Sequence, residues 1–181
     1  IETAMGEIET AEGEMKVAET ERQGQLKLYQ TEESDLAGAL SALEGAIKAL
    51  KSSKPSLVQL QGVAETVKMA ASMADALGLS PEKAQRALAF FQEQPEVPTE
   101  NYKFHSTDII STLEGLLVDF KDTKRGVDEA EVAAVQAHNT FMQEKENFIK
   151  GKEKEVADHK KEKAEKQAAI ATASQDLSVV A

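Results

Sequence analysis

The chain has 181 residues and a formal charge of -11, with a sequence pI near 4.8; 41% of its residues are apolar, 29% charged and only 4% aromatic, and it has no Trp. This length holds one sizeable domain, or two long helices with a small helical module. The acidity repels phosphate backbones and anionic bilayers, so neither nucleic acid nor membrane is expected as a partner, and the absence of cysteine removes disulfides, thiolate catalysis and Cys-based zinc sites.

The chain opens at Ile1 on three related blocks, "IETAMGE", "IETAEGE" and "MKVAETE", whose starts at Ile1, Ile8 and Met15 are seven residues apart. Continuing that register predicts an apolar seam through Ile1, Met5, Ile8, Met15, Leu26, Tyr29, Leu36, Leu40, Leu43, Ile47 and Leu50, interrupted by Glu12, Glu19, Arg22 and Glu33. A spacing of 3.5 residues held over this distance predicts a coiled-coil helix of roughly 80 Å. A start at Ile1 with no apolar leader before it reads as a trimmed or processed chain.

The outer positions of this helix are unusually small. One column reads Thr3, Thr10, Val17, Gly24, Thr31, Gly38, Gly45, and a flanking one Ala4, Ala11, Ala18, Ala39, Ala46; Gly6 and Gly13 lie close by. A solvated coiled coil places Glu, Lys or Gln there, and each interior Gly costs the helix about 1 kcal/mol relative to Ala. The expectation is a helix packed laterally against others, with Gly24, Gly38 and Gly45 as the lateral face.

"KSSKPS" ends the first helix at Pro55. An apolar helix over 57–77 follows, closed by Gly78, and Ser80 and Pro81 then start a short helix through "AFFQEQ". Its apolar run carries Gln59, Gln61, Glu65, Lys68 and Asp75, which suits a buried helix rather than a membrane span. "PEVPTENYKF" reads as loop, with Pro95 and Pro98 as breakers and Tyr102 and Phe104 clamped over the head.

The last helix is expected from Ser106 or Thr107 to about Ser174, weakened at Gly115, Gly126 and Gly151. Its inner edge is Leu113, Phe120, Val127, Ala134, Phe141 and Phe148, fading into a mixed-charge run that reads as a solvated face. The head core is expected to join Leu57, Leu60, Val67 and Phe90 to Ile109, Leu113, Leu117 and Phe120. Residues 1–50 carry eleven acidic and four basic side chains, whereas 150–166 carry five acidic and seven basic. That asymmetry suggests an antiparallel return of the last helix, or charge pairing between the ends of different molecules.

Signals for chemistry are weak. His138 and His159 lie about 30 Å apart along one helix, and His105 is remote from both in sequence. Glu155, His159 and Glu162 share a helix face and read as surface ion pairs before metal ligands. No phosphate loop, HExxH or nucleophile elbow is present, so no enzyme, cofactor, catalytic residue or dedicated metal site is expected. Weak calcium screening is the most that the clusters Glu7, Glu9, Glu12, Glu14 and Glu32, Glu33, Asp35 suggest.

Three stretches in this order, "LSALEGAIKAL", "SPEKAQRALAFF" and "YKFHSTDIISTLEGLLVDF", open or close helices over about 36–170. Together they resemble the trichocyst matrix proteins of alveolate protists, which are secreted, acidic, coiled-coil proteins of granule cores. The resemblance implies a processed structural subunit of a secretory granule lumen, extracellular after discharge, whose partners are copies of itself or paralogues, with calcium-triggered rearrangement of the lattice.

The expected fold is all-α: an elongated antiparallel coiled coil of two long helices, with a head of two shorter ones. Its parts are a heptad helix over 1–53, the head and loop over 54–105 and the last helix over 106–181. The alternative function is a soluble adaptor or tether that binds partner helices.

Overall fold

A computed structural model describes residues 1–52, 57–79, 81–92 and 102–180, with side chains described except at 57–61, 90–92, 102–107 and 180. These residues form four α-helices and no strand: α1 (Glu2–Lys51), α2 (Leu57–Ala76), α3 (Pro81–Gln92) and α4 (Tyr102–Val180). No helix among them is long and apolar enough to cross a membrane. The chain divides into two compact units, one of Ile1–Leu26 with Val132–Ala181, the other Lys27–Glu131.

The Lys27–Glu131 unit holds a four-helix core. Leu36, Leu43, Ile47 and Leu50 from α1 meet Val67 and the small residues Ala70, Ala71 and Ala74 from α2, with Ala84 and Ala87 from α3 and Leu113, Leu116 and Phe120 from α4. Alanine on α2 and α3 lets those helices approach closely, and the large side chains of α1 and α4 fill the space between. Ile109 is buried in the same cluster, and Leu40 and Leu117 are half-buried against it.

Two glycines of this unit have local work. At the end of α2, Gly78 takes φ +67°, a left-handed conformation that costs a residue with Cβ. Its N–H donates to the Asp75 carbonyl at 3.0 Å and that of Leu79 to the Ala74 carbonyl at 2.7 Å, the paired bonds of a Schellman cap. On α4, a Cβ at Gly115 would meet the Lys83 side chain at 3.4 Å. Lys83 thus lies across α4 and reaches Asp119 at 2.7 Å.

Helix ends differ from the sequence reading in four places. α1 closes at Lys51, α2 at Ala76, and α4 begins at Tyr102, ahead of the capping signal at Ser106 and Thr107. Residues 102–105 carry neither Pro nor Gly, so nothing in them halts the helix. α4 is also unbroken through Gly115, Gly126 and Gly151 and passes Ser174 to reach Val180. The expected breakers Pro55, Pro95 and Pro98 and the cap Ser80 lie outside the described residues, as do the side chains of Leu57, Leu60, Phe90, Tyr102, Phe104 and His105.

In the unit of Ile1–Leu26 with Val132–Ala181, burial is sparse: Ala4 and Ala11 on α1 and Val156 on α4 are its buried apolar side chains among the described residues. Charges tie the segments together. Glu7 pairs with Lys152 at 2.7 Å, Glu14 pairs with Lys145, and Glu19 faces the His138 Nε2 at 3.3 Å. Partners descend along α4 as they ascend along α1, so the two segments run antiparallel in this unit.

Candidate functional site

The surfaces that the sequence singled out are distributed over both units, and each is described in its own. In Lys27–Glu131 the predicted seam is largely covered: Leu36, Leu43, Ile47 and Leu50 are buried, Leu40 and Tyr29 half-buried. Val67, Ile109, Leu113 and Phe120 are buried beside them. Polar links frame this core. The Tyr29 hydroxyl hydrogen-bonds the Asp128 carboxylate at 3.0 Å, and Lys124 bridges Asp128 and Glu33, each at 3.0 Å. Lys124 holds the Asp128 carboxyl below the usual range, with a further contribution from the Tyr29 hydroxyl. The same hydrogen bond raises the phenol of Tyr29.

In the other unit, the predicted seam lies one column away from the buried one. Met5 is 52% exposed, and Ile1, Glu12, Glu19 and Leu26 are also exposed, while Ile8 and Met15 are half-buried. The column turned inward is instead Ala4, Ala11 and half-buried Ala18. From the sequence this column is expected to serve lateral neighbours, yet the chain's own α4 uses it. The physical reason is size. Phe141, Lys145, Phe148 and Lys152 are the bulky α4 residues here, and alanines give them room. Lys145 lies 5.4 Å from the Phe141 ring centre and Lys152 lies 5.8 Å from that of Phe148, so each lysine joins a ring on α4 to a glutamate on α1. Glu7 and then Glu155 raise the ammonium of Lys152 through hydrogen bonds.

The glycine column is open. A Cβ at Gly24, Gly38 or Gly45, or at Gly6 and Gly13, would meet nothing within 4 Å. On the same side of the unit of Ile1–Leu26 with Val132–Ala181 runs a groove in two parts. One, of about 380 Å³, lies along Thr3, Gly6, Thr10, Lys145 and Phe148. The other, of about 700 Å³, lies along Gly13, Val17, Ala18, Ala137 and Phe141, and Glu14 borders both. The Thr10 hydroxyl donates to the Gly6 carbonyl at 2.8 Å, so the wall there has little free hydrogen-bonding capacity. The small residues of this face are legible in the sequence; the groove is not, because it needs Phe141 and Phe148 of α4 as its second wall.

No protein-family model, curated protein or solved structure matches the chain.

Among the described residues no three His, Asp or Glu side chains converge as a metal site would require. Glu155, His159 and Glu162 instead form a ladder: His159 lies 3.8 Å from Glu155 and 3.7 Å from Glu162, flanked by Lys152 and Lys166. Lys152 lowers the Glu155 carboxyl and Lys166 lowers that of Glu162. Of the expected basic region, Lys152 reaches the acidic start of α1. Every residue over 157–179 is exposed, and Lys160, Lys161 and Lys163 make no ion pair among the described residues.

Proposed function

We propose that the chain is a structural, non-enzymatic subunit that assembles laterally and end to end with copies of itself or paralogues into an ordered matrix or filament. The open glycine column carries this reading. Gly24, Gly38 and Gly45 sit on exposed helix where a Cβ would meet nothing, so their smallness does nothing for the single chain. Each still costs its helix about 1 kcal/mol. A neighbour that packs close to the backbone supplies the missing reason. Within the subunit, α1 and α4 pair as an antiparallel coiled coil with α2 and α3 as its head. The ion pairs of Glu7, Glu14, Glu33 and Glu44 with α4 support that pairing.

The resemblance to trichocyst matrix proteins extends the proposal to location: the lumen of an extrusive secretory granule, and the extracellular space after discharge. Calcium would act there as loose screening of crowded carboxylates rather than as a bound cofactor. Electron microscopy of the purified chain, with and without millimolar calcium, tests the reading. Periodic filaments or sheets support it, and isolated molecules under both conditions point to an adaptor that binds partner helices. Gly38→Glu with Gly45→Glu should keep far-UV helicity and abolish order; assembly that survives both changes refutes lateral packing.

A further inference from the structure

The unit of Ile1–Leu26 with Val132–Ala181 carries two apolar surfaces that no other described residue covers. One is the groove along 3–25 of α1, roomy and mostly apolar, with the Glu14–Lys145 pair among its lining residues. The other is the bare helix over 157–179, where Ile170 is 65% exposed and Leu177 75%. Ala169, Ile170, Ala173 and Leu177 recur at the spacing of one helix face, an apolar stripe with small residues along it. An apolar groove lacks an occupant, and an apolar helix face lacks a seat.

We propose that the groove of one copy takes the 157–179 helix of a second copy. The inference rests on the self-assembly reading above and assigns it a contact. Length permits it: the helix over 157–179 and the groove along 3–25 each cover about 35 Å at 1.5 Å per residue, with the apolar stripe occupying 169–177 of that helix. Charge agrees at one end of the helix: 157–179 as a whole holds four basic and four acidic side chains, but three of the four basic ones fall within 160–163. Ile1–Leu26 holds seven acidic and two basic side chains, and Glu21, on the groove wall, makes no ion pair among the described residues. The helix opposite would bring Lys160, Lys161 and Lys163, equally without partners there. Opposite charge at the rim sets register and speeds encounter, while the stripe supplies the burial. Shape agrees too, since Gly6 and Gly13 keep the groove wide and its α1 wall low.

Groove and helix are different patches of one molecule, so the contact is heterologous. Each copy offers one of each, and the contact propagates into a ring or an open filament.

Two variants test this in the full chain by sedimentation velocity. Gly6→Leu with Gly13→Leu fills the groove; in the single chain both sites are open, so helicity and Tm should hold or rise. Ile170→Glu with Leu177→Glu spoils the stripe at exposed positions, again without loss of fold. Each variant alone should associate at least about a hundredfold more weakly than wild type. Mixed, they should form a 1:1 complex that grows no further, because the first still offers its helix and the second its groove. Wild-type chain that stays monomeric at millimolar concentration overturns both this contact and the self-assembly reading. Assembling wild type, with either variant still assembling alike or with a mixture that stays monomeric, overturns the contact alone.

Discussion

The two units use α1 and α4 in opposite ways. In Lys27–Glu131 the helices bury a continuous core, with Leu43, Leu113, Leu116 and Phe120 wholly removed from solvent and α2 and α3 closing the sides. In Ile1–Leu26 with Val132–Ala181 the same two helices meet through the alanines of α1 and through ion pairs whose lysines also lie near rings of α4, and they leave Met5, Val17, Phe148, Ile170 and Leu177 exposed. Lys27–Glu131 closes a core of its own, with Leu28, Met69, Leu77 and Val118 left exposed around it. The other unit has apolar surface left over, and surface left over is what a partner binds.

The largest test of this contrast is Phe120→Ala. Deleting a fully buried ring should cost about 3–5 kcal/mol, read as a lower denaturation midpoint, and the loss should be greater than for any truncation in the other unit. Phe148→Ala, at a 43% exposed ring, supplies the matched control. Next comes Ala11→Leu. If the alanine column is the true inner face of the sparse unit, overpacking it should destabilise by about 1–3 kcal/mol; Met5→Leu, one column over, should be near neutral. A cost at Met5 rather than Ala11 would restore the seam read from the sequence. Third, Gly24→Ala should stabilise the single chain by about 1 kcal/mol in thermal unfolding, since a Cβ there meets nothing.

The smallest effect is that of pH. Asp128 in one unit and Glu155 and Glu162 in the other are held below the usual carboxyl range by Lys124, Lys152 and Lys166. A lowered folded pKa contributes stability that is complete above the unfolded value, about 4, and is lost as pH falls through the folded value. Tm should therefore be flat on this account from pH 7 to 5 and fall below about 4. Asp128→Asn should remove part of the fall. Tyr29 has the opposite sense: its raised phenol contributes below the unfolded value near 10 and loses that contribution as pH rises above it.

Part of the Lys27–Glu131 core is legible in the sequence. Gly78 announced its turn because a helix ending in Gly takes the left-handed cap, and Leu113 and Phe120 announced burial by their heptad spacing on a broad apolar face. The start of α1 was less so. Two adjacent columns share Ile8 and Met15: one continues through Ile1, Met5 and Leu26, the other through Ala4, Ala11 and Ala18. Counting apolar side chains favours the larger residues, although Glu12 and Glu19 interrupt them. Choosing correctly required knowing what faced them, namely the phenylalanines and lysines of 141–152.

From residue order and chemistry alone came the four helical stretches, the acidic asymmetry and the small outer column, because helix periodicity, breakers and charge are local properties of the chain. Tertiary structure alone decided which column of α1 turns inward, where the groove lies and that 157–179 stays bare. Those depend on the size and register of side chains brought together from positions more than a hundred residues apart, such as Glu14 and Lys145. Hydrophobic periodicity records that a face is to be covered; only packing determines by what.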